Sequence, residues 1–450
     1  MTISPTLPSP CNVLLVGGGG REHALAWKLR RSPSLGTLWC TECSGAPLRN
    51  PGILALAREA PAEEVTLGNP FRARRWCERE GIHLIVVGPE GPLAAGIADA
   101  LAAPDRLVFG PSKAGARIEA DKAWAKQLMR SAAIPTAEAR IFDDAEAAQR
   151  FVRAREQPWV VKASGLAAGK GVIVCSTPDE AADAIERIMV RREFGEAGSI
   201  AVVEERLSGP EASVLALVDG RTIWILDPCQ DHKRLGDGDT GPNTGGMGAY
   251  CPAPVLSQSV LAQVQREVFV PIMSALAREG IEYRGVLYAG LMLAPGGPKV
   301  LEFNCRFGDP ECQALLPRLE GDLLAALWAT AAGTLEQVDL TFDARTCCCV
   351  VMASAGYPGA PRLGVEISGL DDAGSLAGVG EELVIFHAGT ARDAKGRIVT
   401  GGGRVLGVTA LAADLDAARR LATGACDRIA FAGAQYRRDI GAGPAVVPGA

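Results

Sequence analysis

The first hundred or so residues repeat one pattern, and that pattern restricts the fold more than any other feature of the chain. Asn12-Val-Leu-Leu-Val16 is an apolar strand that runs into Gly17-Gly-Gly-Gly20-Arg-Glu-His23, and Ala24 to Arg31 has helical composition. His83-Leu-Ile-Val-Val87 leads in the same way into Gly88-Pro-Glu-Gly-Pro92, and Leu107-Val-Phe109 into Gly110-Pro-Ser112. Strands alternating with helices at this length argue for a parallel sheet whose ligands gather at the carboxyl ends of the strands. A strand, a glycine turn and a helix also leave backbone N–H groups free to meet a phosphate. The dinucleotide spacing G-x-G-x-x-G fails, because counting from Gly17 puts Glu22 at the last position and counting from Gly18 puts His23 there. Glu42, after a second strand from Thr37 to Thr41, is the one feature that imitates the ribose-binding acid of a dehydrogenase. Glu90 reads equally as a ligand contact or an exposed turn acid. His23 is open between catalysis and a helix-start residue satisfied by a neighbouring backbone.

At 450 residues the chain suits three or four domains. A hydrophobic share of 48%, a charged share of 22% and the absence of a bilayer-length apolar run point to a soluble globular protein that does not associate with membrane. A net charge of −6 offers no sequence-wide attraction to nucleic acid. The thirteen scattered cysteines, among them Cys347-Cys348-Cys349, follow no disulfide framework and suggest a reducing cytoplasm. Cys40-Thr-Glu-Cys43 has no second pair to complete a zinc site. Met1 to Pro10 reads as a loose tail without the pattern of a secretory signal.

The chemistry concentrates further along. Trp159 to Cys175 reads as a hairpin whose turn, Gly165-Leu-Ala-Ala-Gly169-Lys170-Gly171, is one residue too short for a Walker loop and is followed by more strand sequence. It suits a flexible flap able to fold over triphosphate, by analogy with kinase glycine loops. Lys162, set among Val160, Val161 and Ala163, must find an anion or reach solvent. Ser199 to Leu207 is a strand ending in Glu204 and Glu205, of the kind that can line an adenine slot. Gln230 to Tyr250 is a long loop with five charged groups and six glycines, in which Asp231, Lys233 and Arg234 could hold a small zwitterion and a sugar phosphate. Gly285 to Leu293 and Val300 to Asn304 form a second hairpin. On its last strand Glu302, Asn304 and Arg306 alternate with Leu301 and Phe303 and so project from one face. A carboxylate and an amide oxygen two residues apart are hard donors of the kind Mg²⁺ or Mn²⁺ accepts beside nucleotide phosphates, and a guanidinium beyond them can pair with a further anion. An amphipathic edge strand facing water has the same pattern. Ala120 to Ala132 reads as a helix, and so do Leu323 to Ala332 and Asp414 to Ala432. Beyond Gly333 the chain alternates short strands with glycine turns and reads as a structural domain that closes over the site.

Gly19-Gly-Arg-Glu-His-Ala24, Lys162-Ala-Ser-Gly-Leu-Ala-Ala-Gly-Lys-Gly171, Gln230-Asp-His-Lys-Arg234 with Thr240-Gly-Pro-Asn-Thr-Gly-Gly-Met-Gly-Ala-Tyr250, and Arg306-Phe-Gly-Asp-Pro-Glu311 together resemble the glycinamide ribonucleotide synthetase family of the ATP-grasp superfamily. Gly356-Tyr-Pro358, Phe386-His-Ala-Gly-Thr390 and Gly402-Gly-Arg-Val405 extend the resemblance to the end of the chain. It implies an α/β chain with an N-terminal parallel-sheet (pre-ATP-grasp) domain over 11–118. A two-lobed ATP-grasp α+β core follows, with a small lobe over 119–195 carrying the flap and a large lobe over 196–335 carrying the metal site, and then a small C-terminal α+β domain over 336–441. The activity implied is ATP-dependent ligation of glycine to 5-phosphoribosylamine in purine biosynthesis, by a cytoplasmic monomer. By the same resemblance Glu302 and Asn304 bind Mg²⁺ or Mn²⁺, Lys122 and Lys162 meet the ATP phosphates, and Gly165, Gly169, Lys170 and Gly171 cover them. Glu204, Glu205 and Leu207 frame adenine and Glu211 meets the ribose. Gly19, Gly20, Arg21, Glu22, Asp231, Lys233 and Arg306 meet the other substrates, with Arg306, Lys162 and Asp231 catalytic. The chain departs from the family pattern at Cys43-Ser-Gly-Ala-Pro47, at Asp121 where a small polar residue is usual, at Ser164 where an acid is usual, and at Ala355 where a lysine is usual. Another ATP-grasp ligase or carboxylase would keep the metal strand and flap but not the Gln230 to Tyr250 loop. A dehydrogenase fails at Glu22, and a regulatory nucleotide-binding module would have lost Glu302 or Asn304.

Overall fold

The computed structural model describes residues 6–167, 169–375 and 380–442. Five parallel strands open the chain, in the spatial order Arg58–Glu59, Leu35–Thr41, Cys11–Val16, Leu84–Val87, Leu107–Phe109. Strands buried on both faces need continuous apolar runs, and Leu84 to Val87 are all buried. Strand order reverses beside Cys11–Val16, so a crevice opens between its carboxyl end and that of Leu84–Val87. Gly17 and Gly88 sit at that crevice.

Two antiparallel sheets make the central part. One has the order Ala139–Phe142, Ala201–Glu205, Trp159–Ala163, Val172–Cys175. The strand Ala201–Glu205, which the division at 195/196 assigns to the large lobe, therefore lies inside the small-lobe sheet. The other sheet has the order Ile223–Ile225, Glu211–Asp219, Arg284–Ala294, Gly297–Asn304. The helix expected over Ala120 to Ala132 is Lys122–Ser131, and a separate helix, Lys113–Ala120, precedes it. They break at Asp121, whose carboxylate accepts the backbone N–H of Trp124 and caps the second.

The long loop is more ordered than its composition suggests. Gln230–Asp231 and Gly248–Cys251 are strands of a third sheet, with the order Gln230–Asp231, Gly248–Cys251, Thr346–Ala353, Arg404–Ala412, Glu382–His387. The C-terminal sheet is thus completed by residues from the middle of the chain. The last helix is Leu415–Cys426, shorter than Asp414 to Ala432.

The sequence reading found no apolar run of bilayer length, yet the helix from Gln258 to Arg278 reaches 21 residues at a mean hydropathy of 1.2. Its middle turn is wound as a π-helix, Gln265–Phe269, ahead of Pro271, which has no N–H to return to Glu267. Val264, Val268, Phe269, Ile272 and Leu276 from this helix lie in the protein core. All thirteen cysteines are buried and unpaired with one another.

Candidate active site

Lys162 resolves its conflict with burial by finding an anion. It is 5% exposed, and its Nζ lies 2.9 Å from Glu204 Oε2 while donating to the carbonyl of Leu301 at 3.0 Å. Lys126 approaches the other oxygen of Glu204 at 3.1 Å and donates to Thr136 at 2.6 Å. Burial pulls the Lys126 ammonium down to about 8, against the opposing pull of Glu204. Glu204, expected to frame adenine, instead sits 2% exposed between two lysines. Its neighbour Glu205 pairs with Lys299 at 3.2 Å and accepts the backbone N–H of Glu138. Leu207 is half-buried beyond them. Lys122 donates to the carbonyl of Gly165 at 3.0 Å and so anchors the root of the flap. The flap is a hairpin turn, as expected. Gly169, at φ +73°, faces open space, and Lys170 is exposed with no ion pair among the described residues. Gly171 is buried where a Cβ would come within 2.7 Å of Ala167.

Glu302 and Asn304 lie on Gly297–Asn304, in register with Gly290 and Tyr288 of the neighbouring strand. Burial pushes the Glu302 carboxyl up, but Lys233, Lys162, Lys122 and Arg306 outweigh it and hold the group below the usual range, so it is ionised. Among the described residues Glu302 accepts no hydrogen bond and makes no ion pair. A charged carboxylate without a protein partner, next to the amide oxygen of Asn304, fits a hard divalent cation whose remaining positions go to phosphate and water. The described residues hold no cluster of three His, Cys, Asp or Glu side chains, so these two would share the ion with its ligand rather than cage it.

Arg306 is held on two sides. Its Nη2 lies 2.8 Å from Glu119 and its Nε 3.3 Å from Glu90. Glu90 is therefore neither a free ligand contact nor an exposed turn acid, but a partner that aims the guanidinium. Glu119 also accepts the backbone N–H of Cys305 at 2.8 Å, tying the first domain's last helix to the strand end.

Glu22 fills the crevice at the reversal of strand order. It accepts the N–H of Gly19 at 2.7 Å and the Nε of Arg21 at 2.6 Å, and a Cβ on Gly88 would meet its Oε1 at 2.0 Å. Glu42 lies over Gly18 in the same way, at 2.0 Å from such a Cβ. Two carboxylates occupy the space that a dinucleotide's pyrophosphate requires, which excludes the dehydrogenase reading on sterics and on charge. Gly20 begins the helix Gly20–Leu29, close to Gln313. Arg21 reaches across to donate to the carbonyl of Phe307 at 3.1 Å. His23 is satisfied by backbone, since its Nδ1 accepts the N–H of His387 at 2.7 Å, and burial pulls it down to about 3. The turn Ser44 to Pro47 is exposed.

Lys233 joins the long loop to the large lobe. Its Nζ lies 3.2 Å from Glu211 and 3.5 Å from Asp231. Burial lifts the Asp231 carboxyl to about 7, with Glu311 and Glu211 adding to it against Lys233. Glu211, expected at the ribose, is thus paired with Lys233. Arg234 turns away and donates to the carbonyl of Gly241.

Sequence reasoning missed Glu119, Lys126, Glu311 and Arg404. Lys126 lies four residues after Lys122 on one helix face, and that spacing was the available signal. Glu311 accepts hydrogen bonds from Ser213 and Tyr288, both at 3.0 Å, and Glu119 and Arg404 act through contacts distant in sequence. Two departures from the family pattern meet each other in space. The Ser164 hydroxyl donates to Asp121 Oδ1 at 3.0 Å and accepts the N–H of Ala123, so the acid that Ser164 lacks is supplied from the opposite side.

The chain matches three family models in sequence: the phosphoribosylglycinamide synthetase N domain over residues 11–119, its ATP-grasp (A) domain over 120–312, and its C domain over 347–443. It is 48% identical to the phosphoribosylamine–glycine ligase of Rhodopirellula baltica over 96% of this chain and 97% of that one. It is also 48% identical to that of Synechocystis sp., over 95% and 99%. The crystal structure of phosphoribosylamine–glycine ligase from Thermotoga maritima superposes with a TM-score of 0.78 at 31% identity, covering 95% of this chain and all of that one. A biotin carboxylase from Campylobacter jejuni shares the fold at a TM-score of 0.69 and 15% identity, over 95% and 93%. With crevice, flap, metal strand and long loop assembled from three contiguous domains, the chain belongs to the phosphoribosylglycinamide synthetase family.

Proposed function

We propose that the chain uses ATP to join glycine to 5-phosphoribosylamine, giving glycinamide ribonucleotide, ADP and phosphate, a step of purine biosynthesis. One observation carries the reading. Arg21 of the first-domain glycine turn donates to the carbonyl next to Arg306, so the acceptor crevice and the phosphate end of the cleft share a wall.

In this reading Lys122 and Lys162 hold the ATP phosphates, and Gly165, Gly169, Lys170 and Gly171 fold over them. Glu205 and Leu207 flank the base and Glu211 meets the ribose. Glu204 acts one step back, by fixing Lys126 and Lys162. Glu302 and Asn304 hold Mg²⁺ or Mn²⁺, which supplies charge neutralisation on the transferring phosphoryl group. A glycine carboxylate oxygen attacks the γ-phosphorus and ADP leaves. The amine nitrogen of phosphoribosylamine then attacks the acyl carbon and phosphate leaves. Arg306, fixed by Glu90 and Glu119, offers positive charge already in place as negative charge builds up. Asp231, ionised above about 7, accepts the proton the amine sheds. The closed flap keeps water from the acyl phosphate. Gly19, Gly20, Arg21, Glu22 and Lys233 line the acceptor side. These groups all belong to one chain, in keeping with a monomer, and thirteen unpaired buried thiols suit a reducing cytoplasm.

ADP release measured with glycine alone, with phosphoribosylamine alone and with both tests the reading. Full turnover requires both. Turnover with bicarbonate in place of glycine, or turnover only when NAD is supplied, would reject it.

A further inference from the structure

Among the contacts of the long loop with the C-terminal domain, one residue is held on both its N–H and its carbonyl. The N–H of Gly245 donates to the Tyr357 hydroxyl at 2.9 Å, and the carbonyl of the same residue accepts from Arg404 Nη1 at 2.5 Å. Arg404 Nη1 also donates to the carbonyl of Asp309 at 2.6 Å, and its Nη2 lies 3.3 Å from the Asp309 carboxylate. A Cβ on Gly245 would come within 3.3 Å of both the tyrosine oxygen and the guanidinium carbon, so a side chain here would push both clamping groups back by a few tenths of an ångström.

The grip transmits in two directions. Thr244, the preceding residue, donates its N–H to the carbonyl of Lys233 at 2.7 Å and its hydroxyl to the same carbonyl at 2.8 Å. The backbone position of Lys233, and through it the pairing with Asp231 and Glu211, is therefore two bonded contacts away from Tyr357. On the other side Asp309, also held by Gln313 at 2.8 Å, lies 3.8 Å from where a Cβ of Gly19 would stand. One guanidinium thus ties the long loop, the segment after Arg306 and the edge of the first-domain turn.

We propose that Tyr357 and Arg404 are positioning residues for the acceptor half of the reaction: by clamping the Gly245 peptide they hold the Asp231 and Lys233 loop and the Asp309 segment in the arrangement that receives the amine substrate. This inference rests on the function proposed above. Lys122 and Lys162, the lysines expected at the nucleotide phosphates, share no hydrogen bond with the clamp, so binding of ATP is spared.

The test is steady-state kinetics on the full chain for wild type, Tyr357→Phe, Arg404→Lys and Arg404→Met, varying each substrate in turn. Tyr357→Phe keeps the ring against Gly403 and removes one acceptor; it raises KM for phosphoribosylamine roughly fivefold. Arg404→Met raises it more, and Arg404→Lys, which can still reach one carbonyl, falls between. KM for ATP stays within about twofold in all three, the size of effect expected where no hydrogen bond is lost. Equal rises for ATP and phosphoribosylamine, or a lowered Tm with unchanged kinetics, would overturn the clamp while leaving the function standing. Wild-type protein without phosphoribosylamine-dependent turnover would overturn both.

Discussion

The two sides of the cleft hold their charges with different residues. On the nucleotide side the cations are lysines: Lys126 and Lys162 share Glu204, and Lys122 rests on a carbonyl. On the side proposed for the acceptor they are arginines apart from Lys233: Arg21 with Glu22, Arg306 with Glu90 and Glu119, Arg404 with Asp309. An ammonium is a point charge on a flexible stem, whereas a guanidinium is a planar fork that fixes direction as well as distance. The cores follow the same division. The small lobe has its own core, from Ala148 to Val203, while the other two principal cores each mix residues of the first domain, the large lobe and the C-terminal sheet. The small-lobe sheet thus packs on a core of its own, whereas the rest of the molecule is joined by shared cores. That suits a lobe that must open for nucleotide and close over it.

The largest expected effect lies where the two sides meet. Glu302→Gln lowers turnover about a thousandfold by removing the charge that the divalent cation needs, with circular dichroism unchanged; wild-type activity at limiting Mg²⁺ would contradict the assignment. Next, Arg306→Met leaves Glu119 buried with no compensating charge and costs about 3 kcal/mol in urea unfolding. Lys162→Met costs less, about 1 to 2 kcal/mol, because Glu204 keeps Lys126. The reverse order would break the contrast between forks and point charges. Within the small lobe, Ser164→Asp sets a second carboxylate against Asp121 and costs about 2 kcal/mol. Adding Asp121→Ser recovers most of that loss, and a double variant no better than the single would show the two positions to be independent.

A separate expected effect is a pH dependence. Asp231 keeps its proton in the fold up to about 7, against 3.8 for the unperturbed side chain. Between those values the folded chain binds more protons than the unfolded one, so this group makes stability fall as pH rises from about 4 to about 7. In Asp231→Asn that component is missing, which unfolding of both proteins at pH 5 and pH 8 measures. The matching limb near pH 7 in kcat/KM for phosphoribosylamine disappears in the same variant.

Much of this was legible in the sequence because the signals are local. Parallel strands showed as apolar runs before glycine turns, and the strand carrying Glu302 and Asn304 showed as polar residues alternating with apolar ones. The flap showed as glycines between two strands. What stayed hidden depends on contacts far apart in the chain. Glu204 reads as a charged strand end until Lys126 and Lys162 are placed beside it. Glu90 reads equally as a ligand contact or a turn acid until Arg306 arrives from 216 residues away. Ala201–Glu205 lies beyond a helix and a turn from its sheet partners, so no local pattern assigns it to the small lobe. Asp121 and Ser164 look like two separate departures until the hydrogen bond between them shows that one offsets the other.

The strand Gly248–Cys251 pairs with Gln230–Asp231 on one edge, but its other edge meets Thr346–Ala353 only about a hundred residues later. During synthesis, the stretch bearing Asp231 and Lys233 thus emerges long before its neighbour does. A nascent polypeptide translated only through Asn304 holds the residues proposed for nucleotide without the strand that orders those proposed for the acceptor. Competence for ligation therefore comes late, when the end of the message has been read.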